Sequence, residues 1–200
     1  MKKIIIIILF FIFNLNFVFA ESRFGDLTEI RDERMRGKDG KWVRPHPGPF
    51  VWNNIEKEKG IFSWEVSDKY VLYSQEHNQK ILATIWPYAN WEQKSCKRNK
   101  GRSPFGKKFS KYLSKPCSME NYKIFLTKLI DRYDGDGNND MPGLTKPIVH
   151  WEIMNEPEFR MFFKGKEDEF VEIFNFSSKL IKSKQSEAVI VMAGAAGMFP

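Results

Sequence analysis

The sequence predicts an α/β fold in which parallel strands are joined by crossover helices, and three observations carry that prediction. Short β-rich runs recur near residues 42, 81, 148 and 189, each followed by a helical pattern or by the chain end. Two long segments, 118–133 and 167–182, repeat apolar residues at three- and four-residue spacing. No Gly-x-Gly-x-x-Gly or Walker loop follows any strand, which argues against a nucleotide-binding open sheet. Spacing by itself fits both a (β/α)₈ barrel and an open doubly wound sheet.

Residues 1–20 stand apart from the fold. Met1-Lys2-Lys3 is a short positive start, Ile4 to Phe13 an apolar core, and Val18-Phe19-Ala20 a plausible cleavage site, so this stretch reads as a signal peptide. The apolar run is short and interrupted by Asn14 and Asn16, which disfavours a membrane-spanning helix. The expectation is an exported protein, secreted or periplasmic and bacterial, with no stable membrane span after cleavage, and with 21–200 as one domain. Loss of Lys2 and Lys3 lowers the net charge from +7 to +5. The remaining excess is densest at Lys94 to Lys115, a Gly-, Ser- and Lys-rich stretch that reads as a solvated loop and not as a nucleic-acid groove.

The two cysteines, Cys96 and Cys117, bracket that stretch. In an exported chain they suggest a disulfide pinning a long insertion, and neither flank resembles a zinc site.

Taken in order, Arg23 to Glu29 is the candidate first strand. Lys41 to Arg44 is the second, running into Pro-His-Pro-Gly-Pro-Phe, with a turn at Lys59-Gly60. Ser67 to Glu76 reads as a helix with Tyr70, Val71 and Ser74 on one side. Ile81 to Trp86 is a buried-strand run stopped by Pro87. Ser118 to Tyr133 is the clearest helix: Ser118 can cap it, Glu120 suits its first turn, and Tyr122, Phe125, Leu126, Leu129, Ile130 and Tyr133 form a core stripe. Pro147 to Ile153 is the next strand, Glu167 to Lys182 the next helix, and Val189 to Ala193 the last strand.

The chemistry concentrates at the segment His150-Trp151-Glu152-Ile153-Met154-Asn155-Glu156-Pro157-Glu158. Glu156 follows an apolar strand and precedes Pro157, which turns the chain into a loop. A carboxyl group held there among Trp and Phe loses solvation, which suits a proton donor. Asn155 beside it offers an amide to a substrate hydroxyl. Glu152, four residues earlier, is expected on the same strand face as Glu156, as a structural partner of a basic residue such as Arg44.

The pattern W-E-x-x-N-E-P resembles the fourth-strand motif of clan A glycoside hydrolases, the retaining β-glycosidase barrels that include β-xylosidases, β-galactosidases and many endoglycanases. A second stretch agrees with it. Val43-Arg44 followed by Phe50-Val51-Trp52-Asn53-Asn54-Ile55-Glu56 and then Gly60-Ile61-Phe62-Ser63-Trp64 is similar to that family's second strand and its continuation. Ile81 to Trp91 resembles the third strand, and the likeness spans roughly residues 41 to 196.

The resemblance implies a (β/α)₈ TIM barrel, truncated here after about the fifth strand. It implies Glu156 as general acid/base, Asn155 contacting a sugar 2-hydroxyl, and Arg44 supporting the carboxylates. The family's nucleophile, a glutamate at the end of strand seven, is not in this chain. The expected chain is therefore a fragment that is inactive alone. A carbohydrate is the expected partner, no cofactor is expected, and oligomeric state is not legible.

His46 suits either a sugar subsite or a loop contact. Trp86, Tyr88 and Trp91 suit either sugar stacking or covering the barrel mouth, with Phe159, Phe162 and Phe163 as weaker candidates. Asp134, Asp136, Asn138 and Asp140 alternate like the start of a calcium loop. Thr145 stands where the bidentate Glu belongs and Asn139 where Gly is usual, so a polar turn is the preferred reading. The rival functions are a carbohydrate-binding pseudoenzyme and a surface interaction protein using the basic Cys96–Cys117 loop.

Overall fold

The computed structural model describes residues 25–28, 42–98 and 109–194. The proposed signal peptide and much of the basic insertion lie outside the described residues. The elements in chain order are β1 (Gly25–Thr28), β2 (Trp42–Pro45), α1 (Trp52–Ile55), β3 (Glu56–Glu58), β4 (Ile61–Phe62), α2 (Glu65–Glu76), β5 (Lys80–Ile85), α3 (Asn90–Ser95), α4 (Met119–Tyr133), β6 (His150–Ile153), α5 (Glu167–Lys184) and β7 (Val189–Met192).

Five strands form one parallel sheet in the order β1-β2-β5-β6-β7. Each main strand lies beside the one that precedes it in the chain. A doubly wound sheet reverses direction at a switch point, and this order contains no reversal. The order is that of a singly wound parallel sheet. Among the described residues the sheet does not close on itself. A separate antiparallel hairpin, β3–β4, turns at Lys59-Gly60, where Gly60 takes a φ of +82° that a side chain would disfavour.

The helices form as the stripes predict. Ser118 caps α4 by accepting from the Asn121 N–H at 3.2 Å, and Tyr122, Phe125, Leu126, Leu129, Ile130 and Tyr133 are all buried. The α4 face meets an aromatic core in which Trp52 stacks on Phe125 at 5.3 Å and lies against Tyr122 at 5.6 Å. Helix α5 buries Ile173, Ser177 and Ile181, and Tyr122 Oη pairs with Ser177 Oγ at 2.9 Å. Phe170, Phe174 and Leu180 complete its inner face as partly buried residues packed against the core.

Strand β6 is shorter than the apolar run Pro147 to Ile153 suggests. Pro147 has no N–H to give a ladder, and the Ile148 N–H bonds the Tyr133 carbonyl at 2.8 Å instead. Along β6 the side chains alternate: Trp151 and Ile153 face the helices, and Trp151 Nε1 donates to Gln185 Oε1 at 2.9 Å. His150 and Glu152 therefore occupy the opposite face, where the His150 ring meets Trp42 edge-on at 4.5 Å.

Candidate active site

The C-terminal ends of β2, β5 and β6 bring together side chains far apart in sequence. Thr84 and Glu152 are register partners on neighbouring strands, so both project from the same face at the same level. Thr84 Oγ1 donates to Glu152 Oε2 at 2.6 Å, and Arg44 Nε donates to the same oxygen at 2.8 Å. Arg44 also donates through NH2 to Asn155 Oδ1 at 2.7 Å. Glu152 is buried, and its charge is offset by the guanidinium. The pairing expected of Glu152 and Arg44 is the one observed. Thr84 went unrecognised in the sequence, although a lone polar residue within Ile81-Leu82-Ala83-Thr84-Ile85 was the available signal.

Asn155 has little freedom. Its amide oxygen is committed to Arg44, so its Nδ2 side is the donor it can offer a ligand. Met154 and Glu156 flank it with φ of +66° and +42°, left-handed values that cost non-glycine residues on order of 1–3 kcal/mol each. The Met154 N–H continues the ladder to Ile85 O at 3.0 Å, and the Glu156 N–H reaches Gly194 O at 2.9 Å beyond β7. Those bonds hold the left-handed residues in place.

The same backbone overturns the expectation that Glu152 and Glu156 share a strand face. The strand ends at Ile153, and the two left-handed residues swing Glu156 out of the pleat. Glu156 is half-buried, and among the described residues no side chain bonds its carboxylate.

His46 lies at the rim, its Nδ1 3.5 Å from Arg44 NH1 and its ring 5.6 Å from Trp86 and 6.1 Å from Phe162. Burial, reinforced by the Arg44 charge, pulls its pKa down to about 4, so the ring is neutral at pH 7.

Trp86 and Trp91 differ in exposure, the first buried and the second half-buried. Trp86 is wholly buried, with Nε1 donating to Pro47 O at 2.7 Å and Phe109 packed edge-on at 4.9 Å. As folded, no sugar ring can reach it. Trp91 donates to Glu56 O at 2.9 Å and packs edge-on against Trp52 at 5.8 Å. Tyr88, fully buried, donates to Phe162 O at 2.7 Å.

Cys96 and Cys117 form a disulfide that ties the end of α3 to the start of α4. Gln93 reinforces it: its amide nitrogen donates to the Ser114 carbonyl and its Oε1 accepts the Ser114 N–H at 3.2 Å. The same insertion delivers Phe109 onto Trp86.

The acidic turn lies at the other end of the sheet, between α4 and β6. One oxygen from each of Asp134, Asp136 and Asp140 falls within 4.8 Å of the others. Backbone N–H groups already occupy it: Gly135 and Gly137 donate to Asp140 at 3.0 and 2.8 Å, Asn138 to Asp136 at 2.7 Å. Burial, and then the neighbouring Asp136, Asp131 and Asp140 charges, push the Asp134 carboxyl up to about 6 against the pull of the Asp136 N–H.

No protein-family model matches the chain, and no curated protein matches it in sequence. Solved structures do match it in shape. A glucosidase from Croceicoccus marinus superposes with a TM-score of 0.54 at 16% identity, covering 78% of this chain and 30% of that one. A β-galactosidase from the psychrophilic Marinomonas ef1 gives 0.56 at 13%, covering 84% and 36%. A monomeric β-xylosidase from Caulobacter crescentus CB15 gives 0.58 at 12%, covering 83% and 34%. The chain shares its fold with glycosidases. It spans about a third of the length of these structures, which are the kind of protein the W-E-x-x-N-E-P motif resembles. Among the described residues no helix is long and apolar enough to cross a membrane.

Proposed function

We propose that this chain is part of an exported retaining glycoside hydrolase whose general acid/base is Glu156. The observation that carries the reading is the strand-end cluster of Arg44, Glu152 and Asn155, with the half-buried Glu156 next in the chain. The (β/α)₈ barrel is completed in this reading by strands beyond the ones described. The open, singly wound sheet and the glycosidase neighbours support it.

The division of labour follows from geometry. Arg44 neutralises Glu152 and fixes the Asn155 amide, whose Nδ2 then donates to a sugar 2-hydroxyl. The Glu156 carboxyl has no bonded side-chain partner among the described residues and is left to protonate the leaving oxygen. A second carboxylate, supplied from beyond this chain and about 5 Å from Glu156, attacks the anomeric carbon. Glu156 then takes a proton from water as the glycosyl-enzyme is hydrolysed. Neutral His46 lies at the rim as a hydrogen-bonding group for the sugar.

The test uses the full-length protein that carries this chain, assayed on p-nitrophenyl β-xylosides, β-galactosides and β-glucosides. The expected result is turnover of at least one, with NMR showing the β-anomer as first product. An α-anomer as first product contradicts the retaining mechanism. Binding without turnover points instead to a carbohydrate-binding pseudoenzyme. Export is tested separately: the mature protein should begin at Glu21, and an intact Met1 contradicts it.

A further inference from the structure

Strand β5 contributes one side chain to the strand-end cluster, Thr84. It lies between Ala83 and Ile85, and all three are wholly buried. A hydroxyl in such a place is costly unless its proton is used. It is used on Glu152: Thr84 Oγ1 donates to Oε2 at 2.6 Å. The β-branched side chain has few χ1 choices. Its strand is also locked to β6 by the ladder, which pairs Thr84 with Glu152 and continues past them through the Met154 N–H to Ile85 O at 3.0 Å. The hydroxyl is therefore fixed in place.

The consequence lies in how Arg44 divides its donors. A guanidinium and a carboxylate left to themselves commonly pair through two parallel N–H···O bonds. Here Nε donates to Glu152 Oε2 at 2.8 Å, while NH2, a second donor of the same rigid fork, goes to Asn155 Oδ1 at 2.7 Å. Glu152 Oε2 thus accepts from two sides, Arg44 and Thr84. Rotation of the carboxylate, which would carry its other oxygen toward NH2, moves Oε2 off the Thr84 hydroxyl.

We propose that Thr84 is a positioning residue: its hydroxyl holds the Glu152 carboxylate to one prong of Arg44, which leaves the other prong on Asn155 and the Asn155 Nδ2 for the sugar. The inference rests on the reading in which Asn155 donates to the sugar 2-hydroxyl. As folded, Thr84 is too deeply buried to touch a substrate and acts only through Glu152. Without its hydroxyl the carboxylate turns to take both prongs, and Asn155 loses its anchor. A substrate contact that strengthens toward the transition state is then weakened.

The experiment compares, in the full-length protein, the aryl β-glycoside that is turned over best with its 2-deoxy counterpart. Thr84→Val keeps the shape and removes the donor. In it the kcat/KM ratio of 2-hydroxy to 2-deoxy substrate should fall about fivefold to tenfold, the worth of one hydrogen bond. Thr84→Ser restores the hydroxyl and should keep the ratio within about twofold of the parent. A merely structural role slows both substrates alike, so an unchanged ratio in Thr84→Val overturns the proposal. An equal fall in Thr84→Ser overturns it too, because the hydroxyl is then not what matters. Asn155→Ala tests the reading underneath, and its ratio should fall further than that of Thr84→Val. A fall in Asn155→Ala with none in Thr84→Val removes Thr84 from the mechanism and leaves Asn155 in place. No fall in Asn155→Ala removes the 2-hydroxyl contact itself, and the positioning role with it. If Thr84→Val does not fold, Thr84→Cys, whose thiol is only a weak donor, takes its place with the same outcomes.

Discussion

The two ends of the sheet hold carboxylates in opposite ways. At the C-terminal end, Glu152 is satisfied by Arg44 and Thr84, side chains from two other strands. At the N-terminal end, Asp136 and Asp140 are satisfied by backbone N–H groups two to five residues away. The first arrangement exists only when the sheet is assembled. The second is a local turn that many sequences could make, and for that reason it says little about function. A buried charge answered from 108 residues away constrains the fold; an exposed one answered by its own loop does not.

That contrast can be broken from either side. Removing the long-range partner should cost most. Glu152→Leu leaves the Arg44 guanidinium facing an apolar side chain and is expected to destabilise the protein by about 3–5 kcal/mol in urea unfolding. Adding Arg44→Met should recover much of that, because a buried ion pair replaced whole is often neutral. A loss under 1 kcal/mol for the single variant would show that the pair contributes little. At the other end Asp140→Ala removes two acceptors from N–H groups that water can reach, so about 1 kcal/mol is expected.

The pH dependence sharpens the comparison, because the two ends pull in opposite directions. Asp134 holds its proton to about 6 when folded, above the ordinary carboxyl value near 4. The folded state therefore loses stability as pH rises from about 4 to about 6. His46 titrates near 4 when folded, below its ordinary value of about 6.5, so it loses stability as pH falls through the same window. Asp134→Asn should remove the first slope and leave the second, making the variant gain Tm over the parent between pH 4 and 7. A constant difference across that range would mean Asp134 titrates normally. The smallest effect is expected from calcium: the turn carboxylates already accept N–H groups, so millimolar Ca²⁺ should leave Tm unchanged, and a clear rise would make the turn a cation site.

Much of this architecture was legible in the sequence for reasons that are local. The α4 and α5 stripes, the Ser118 cap and the strand runs depend on residues within a turn or two of each other. The two cysteines were legible by count, and Glu152 with Arg44 by the cost of leaving a buried charge alone. The short elements α1, β3, β4 and α3 were not, since two to six residues carry too little periodicity to separate from loop. The departure of Glu156 from the strand was hidden because left-handed φ at Met154 and Glu156 has no glycine to announce it. Sugar stacking and covering the barrel mouth could not be separated for Trp86, because the residue that covers it, Phe109, arrives from a disulfide-pinned insertion.

The central claim is that Glu156 is the proton donor at this strand end. Its most direct test is the leaving-group dependence of Glu156→Gln in the full-length protein. If Glu156 donates the proton, glycosides with poorly acidic leaving alcohols should slow by about 10²–10⁴-fold, while 2,4-dinitrophenyl glycosides, whose leaving group departs unprotonated, should form the glycosyl-enzyme at close to the parent rate. An equal loss for both kinds of substrate would contradict the account.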